Sequence, residues 1–218
     1  MIVVIQCAAG KQRHAGHLRT PEGRDVMFVA QPDAAPPQRS HAWARPDDLA
    51  DGRRSWRTIL QEYNAAPGSN PLGLLPAWQL YTNPAYEMLG ERYAPDRLYV
   101  LSAGWGLVRA DYLTPNYDIT FSNARNVEPF KRRGHRERYS DFRLPSGIAE
   151  PIVFFGGRDY IPLFCRLTAN AEGSRTVFYA GSEPGAPGCT LRRFGKPFTN
   201  WQYQCARAFL DGRLRCDP

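Results

Sequence analysis

The sequence predicts an α/β fold, a three-layer sandwich with a central, mostly parallel four-stranded sheet. Three observations carry this. Four short apolar runs, at residues 2–5, 98–101, 151–155 and 176–180, have the length and composition of buried strands. Stretches with helical signals fall between them, the alternation that builds a parallel sheet with crossover helices. Each run also ends in small residues: Cys7-Ala8-Ala9-Gly10, Ser102-Ala103-Gly104, Gly156-Gly157 and Gly181-Ser182. In open sheets of this class ligands sit at the carboxyl ends of strands, where the strand order reverses.

Taken in order, residues 2–5 form a continuous β-branched run, expected at the sheet centre. Residues 12–50 are rich in proline, arginine and aspartate and contain one spot, Phe28-Val29, with strand character. Prolines 32, 36, 37 and 46 exclude a long helix there. Trp56, Ile59, Leu60 and Tyr63 recur at i, i+3, i+4 and i+7, an apolar helix face. A Pro-Gly-Ser-Asn-Pro break occupies 67–71. Residues 77–93 predict one or two short helices interrupted at Pro84, with Asn83 as cap. Residues 124–147 are a second irregular, basic insertion. Residues 161–169 predict a helix with Pro162 in its first turn, and 198–210 a closing helix that starts near Thr199 or Asn200 and ends at Gly212.

A chain of 218 residues and 24.6 kDa suits a single α/β domain over 1–218, with insertions at about 12–50 and 124–147. The net charge of +7 and pI near 9.3 favour an acidic partner, of which nucleic acid is the commonest. No apolar run approaches the roughly 18–20 residues that span a bilayer, and residues 1–5 are too short for a signal-peptide core. A cytoplasmic monomer without membrane contact is expected. The five cysteines form no Cys-x-x-Cys pair, and His14 and His17 are a poor ligand pair, so neither metal nor cofactor is implied. Nucleotide-binding glycine loops and the common hydrolase motifs are absent.

The richest segment is 99–123, where a strand runs into small residues and then presents Trp105, Asp111, Tyr112, Tyr117, Asp118 and Asn123. A carboxylate beside a crevice activates water or stabilises an oxocarbenium-like transition state. Asp118 and Asp111 are therefore the candidate acids, with Asn123 as an amide able to read a base edge. Gln6, Cys7, Ser102, Trp105, Tyr117, Gly156, Gly157, Asp159 and Ser182 are the candidate pocket residues, with Trp105 or Tyr117 offering a stacking face. Arg125, Lys131, Arg132, Arg133, His135, Arg136 and Arg138 are interleaved with Phe130, a candidate wedge, in a pattern suited to phosphates and bases. Lys11 and the cluster Arg192, Arg193 and Lys196 complete the candidate DNA-binding set.

Residues 79–86 (Gln-Leu-Tyr-Thr-Asn-Pro-Ala-Tyr), 99–108 (Tyr-Val-Leu-Ser-Ala-Gly-Trp-Gly-Leu-Val) and 116–120 (Asn-Tyr-Asp-Ile-Thr) resemble motifs of the YaaA-related peroxide-stress family. That family resembles a distant branch of the uracil-DNA-glycosylase-like superfamily. The resemblance covers about residues 1–123, with Gln6-Cys7-Ala8-Ala9-Gly10-Lys11 a looser match to the family's opening motif. It implies a uracil-DNA-glycosylase-like fold, DNA binding, and excision of a flipped base by cleavage of the N-glycosidic bond. True uracil-DNA glycosylases carry an acid after the first strand, where this chain has Gln6-Cys7-Ala8, so the burden moves to Asp118 or Asp111. The expected function is a DNA glycosylase for a modified or damaged base, such as one in viral DNA, and thus an antiviral role. With no lysine expected in the site, a monofunctional hydrolysis follows. The alternatives are a non-catalytic DNA-binding stress or defence protein and an enzyme acting on free nucleosides or nucleotides.

Overall fold

The computed structural model describes residues 1–66, 68–196 and 198–216; Pro67, the first residue of the expected break, lies outside them. In chain order the strands and helices are β1 (Ile2–Gln6), β2 (Asp25–Phe28), β3 (His41–Ala44), α1 (Trp56–Ala65), β4 (Leu75–Pro76), α2 (Pro84–Arg92), β5 (Leu98–Ser102), β6 (Gly106–Arg109), β7 (Leu113–Thr114), β8 (Ile152–Phe155), α3 (Ile161–Leu167), β9 (Arg175–Ala180), β10 (Thr190–Gly195) and α4 (Trp201–Leu210).

The central sheet has six strands in the order β10-β9-β8-β1-β5-β6. Its inner four are the four expected runs, and all are parallel. Val3 lies opposite Leu98 on one side of β1, and Ile2 opposite Ile152 on the other. Sequence patterning missed the two edges. β6 runs antiparallel to β5, and β10 runs parallel to β9. The β5–β6 reversal is tight. Ser102 Oγ accepts from the backbone N–H groups of Gly104 and Trp105, each at 3.1 Å. Gly106 then adopts φ +88°, and a Cβ there would meet the Phe142 carbonyl at 2.6 Å. Only glycine fits such a turn.

Strand β8 shows how the layers form. Successive side chains on a strand point to opposite faces. Phe154 stacks on Phe164 of α3, with centroids 4.6 Å apart, whereas Phe155 packs against Phe209 of α4 at 5.2 Å. Helices therefore cover both faces, and α2 packs beside α4. The glycine at 156 belongs to this packing, because a Cβ on it would collide with the Phe154 ring.

The insertion after β1 is packed. Leu18, Val26, Phe28 and Val29 are fully buried, and β2 pairs with β3 in a small parallel ribbon. Helix α1 begins where Ser55 accepts a hydrogen bond from Thr58 N–H. Its Arg57 is buried and donates to the carbonyls of Trp105 (2.9 Å) and Gly104 (3.0 Å), satisfying the β5–β6 turn. Asn83 caps α2 as expected, accepting from Ala85 N–H at 3.0 Å, and Pro84 opens the helix rather than interrupting it.

The chain leaves β1 towards β5 on one side and later leaves β8 towards β9 on the other. The strand order therefore reverses between β1 and β8, the usual location of a ligand crevice.

Candidate functional site

A crevice of about 430 Å³ opens at the carboxyl end of β1. Cys7, Ala8 and Ala9, which follow the strand, line one side, with Tyr160 from the turn before α3. The segment around Asp118 and Thr120, with Lys131, lines another. That segment is held on both flanks. Asp118 N–H donates to the Phe28 carbonyl of β2 at 2.7 Å, and Thr120 N–H to the Lys131 carbonyl at 2.9 Å.

Four charged side chains meet there. Lys131 Nζ lies 2.6 Å from the Asp118 carboxylate and 3.0 Å from that of Glu128. Burial works against the Lys131 charge, but its hydrogen bonds and the two acids outweigh it and raise its pKa. Lys11 Nζ donates to the Ala8 and Ala9 carbonyls at 3.3 and 3.4 Å and lies 4.4 Å from the centre of the Tyr117 ring. Burial lowers the pKa of this ammonium, and the charges of Cys7 and Asp118 only partly offset it. Lys11 as a whole is half-buried.

Beneath the crevice lies a tyrosine cluster. Tyr160 Oη and Cys7 Sγ are 3.2 Å apart, and Tyr81 and Tyr117 hydroxyls 2.7 Å apart. Tyr86 donates to the Gln6 carbonyl at 2.6 Å. Burial pushes the Tyr81, Tyr86, Tyr117 and Tyr160 phenols well up, so they remain protonated donors.

The structure brings Cys7, Lys11, Asp118 and Lys131 together and moves other candidates away. Asp111 forms a two-point ion pair with Arg109, at 2.6 and 3.0 Å. Because β6 is antiparallel, this places it at the amino end of the parallel strands, in a separate groove of about 840 Å³. The two acids do not share a site. Trp105 is fully buried, edge-on to Phe28 at 5.0 Å, and offers no stacking face. Ser102 is consumed by its turn. Tyr117 is buried, with one ring face towards Lys11. Asn123 is exposed and does not line the crevice, whereas its neighbours Ser122 and Ala124 do.

Gln6 accepts from Gly157 N–H at 2.5 Å, closing the gap between β1 and β8. Gly156 and Ser182 belong to a separate hollow of about 280 Å³ beside β9, where Arg158 donates to Ser182 Oγ at 2.9 Å. Asp159 is exposed in the turn before α3.

The basic insertion divides in the same way. Arg133 is buried against Asp141, and Arg132 is spent on the carbonyls of Ala124 and Val127. Phe130 packs edge-on to Trp43 at 5.5 Å, so it is not a free wedge. His135 stacks on Phe121, with centroids 5.1 Å apart. Arg125, Arg136 and Arg138 are exposed. Arg192 and Arg193 lie in the edge strand β10, and Lys196 directly follows it. That strand is three places from β1, about 14 Å at the usual strand spacing. This cluster does not border the crevice.

Sequence reading missed Tyr160, Thr120 and Glu128. Tyr160 carried one signal, an aromatic one helical turn beyond the small residues that end β8.

Among the described residues, no group of three or more His, Cys, Asp or Glu is arranged to hold a metal ion, and no helix is long and apolar enough to cross a membrane. Compared with family models, curated proteins and solved structures, the chain gives no match.

Proposed function

We propose that the crevice receives one nucleotide of DNA, flipped from its stack, and that the protein is a DNA glycosylase for a modified or damaged base. The observation that carries this reading is the Asp118 carboxylate, fixed by Lys131 at 2.6 Å in a crevice at the strand-order reversal. The crevice volume lies within the range of small-ligand sites and suits a single nucleoside. As the C1′–N bond breaks, positive charge grows on the sugar, and a fixed carboxylate stabilises it. Water then adds at C1′, and the base leaves with the bonding electron pair and takes up a proton. The exposed Arg125, whose neighbours Ala124 and Asn126 line the crevice, and the net charge of +7 support phosphate contact there. The base does not stack on Trp105, which is core.

Duplexes carrying modified bases, and phage genomic DNA, would be incubated with the protein and the released bases identified by mass spectrometry. Free base is expected with the wild-type chain and not with Asp118→Asn. Release unchanged in that variant overturns the assignment of Asp118. Duplex binding without release from any substrate replaces the reading with a binding protein, and turnover of free nucleosides without DNA affinity replaces it with a nucleoside hydrolase.

A further inference from the structure

The chain has only three lysines, at 11, 131 and 196, against twenty-five arginines. Two of the three line one crevice. Arginine would supply charge equally well and is used almost everywhere else. It cannot shed its proton, whereas a buried lysine can and so becomes a nucleophile. The two crevice lysines differ. Lys131 is held as a cation by Asp118 and Glu128. Lys11 has no carboxylate within ion-pair distance among the described residues; its ammonium contacts two carbonyls and an aromatic face.

We infer that Lys11 is a covalent catalytic residue whose amine condenses with the C1′ aldehyde of a deoxyribose in the crevice. This inference rests on the glycosylase reading, since base excision leaves such a sugar, which opens to the aldehyde. The Lys11 Nζ lone pair adds to C1′, the carbonyl oxygen takes up two protons and leaves as water, and a C=N bond joins lysine to sugar. The depressed pKa of Lys11 leaves more of the amine free near neutrality than an ordinary surface lysine has. The groups that set its proton affinity come from every side: Cys7 after β1, Tyr81 before α2, Tyr117 and Asp118 in the segment after β7, and Lys131 in a short turn within the basic insertion. The expected absence of a lysine from the site, the ground for a purely hydrolytic reaction, does not hold.

The test uses the full chain and a duplex with a preformed abasic site, which presents the aldehyde without any excision. Borohydride reduces an imine to a stable secondary amine. The expected result is a cross-linked protein–DNA species whose peptide map places the sugar on Lys11. Cross-linking should fall at least about tenfold in Lys11→Met and Lys11→Arg and persist in Lys196→Gln. Mapping on the unaltered chain keeps the inference testable where a variant does not fold. No cross-link, or one placed only on Lys131, Lys196 or the Met1 amine, overturns it. Base release without cross-linking overturns this inference and leaves the glycosylase reading standing; cross-linking on Lys11 without base release from any substrate does the reverse.

Discussion

The guanidinium of Arg133 meets both oxygens of Asp141 at 2.8 Å, and both side chains are almost wholly buried. Arg133 also donates to the Ala103 carbonyl at 2.7 Å, and its plane lies 3.8 Å from the Tyr139 ring centre. Arg166 adds a second cation to Asp141 at 2.9 Å. The most central arginine of the basic insertion is therefore a pin that fastens the insertion to the β5–β6 turn.

Breaking a buried pair by removing one partner strands the other charge and costs about 3–5 kcal/mol. Asp141→Ala leaves the buried Arg133 guanidinium without its carboxylate and should show a loss of that order in urea unfolding. Asp141→Ala combined with Arg133→Ala should recover part of it, because no unpaired guanidinium is then left buried. A loss for Asp141→Ala typical of exposed pairs, below about 1 kcal/mol, contradicts the pin.

What was legible in the sequence follows from how locally each feature is determined. The four inner strands announce themselves because both faces are buried, so an unbroken apolar run is required, as in Ile2–Gln6 and Ile152–Phe155. The edge strand β10 reads Thr-Leu-Arg-Arg-Phe-Gly and has no such run, because one side of it faces away from the sheet. Arg192 and Arg193 read as a basic cluster rather than as part of a strand for that reason. Asp118 was legible as a residue type beside a turn, but its separation from Asp111 depended on β6 reversing direction. Lys11 and Lys131 stand 120 positions apart and were read only as phosphate contacts. Their convergence needs the Thr120–Lys131 backbone hydrogen bond, a long-range pairing without a local signal.

The Asp118–Lys131 pair should matter for reaction far more than for folding. Asp118 is about two-fifths exposed, and pairs of that exposure contribute at most about 1 kcal/mol. Asp118→Asn is expected to keep the wild-type unfolding midpoint within that margin. Base release should fall by about 100-fold or more, the usual scale for loss of a positioned acid or base. A parallel drop in stability and activity would mean that the carboxylate serves the fold.

Cys165 and Cys189 place their sulfurs 3.8 Å apart at the far edge of the sheet. The hydrogen bond from Cys165 lowers the Cys189 pKa to about 7, with the Arg175 charge assisting against burial, while the Cys165 thiol is pushed up. Alkylation of Cys189 followed by peptide mapping should therefore show a midpoint near pH 7. Cys165→Ala removes the donor and should move that midpoint upward, towards the ordinary thiol range. An unchanged midpoint would show that Cys165 does not supply the stabilising hydrogen bond.

Lys11 links stability to pH with a definite sign. Burial sets its folded-state pKa below the ordinary 10.5, with Cys7 and Asp118 opposing and Lys131 assisting. Between the folded and the unfolded pKa the unfolded chain binds more protons, so this group makes stability rise with pH across that window. Below the folded pKa the full cost of holding the charge in the crevice is present. Lys11→Met removes the charge and keeps an apolar stem of similar length. The variant should unfold at a higher temperature than wild type at pH 7, and the difference should shrink as pH approaches 10.5. Thermal unfolding of both chains in matched buffers reads this as a difference curve. A difference that stays constant with pH would arise from packing alone, and a variant less stable at pH 7 would show that the Lys11 ammonium is stabilised where it sits.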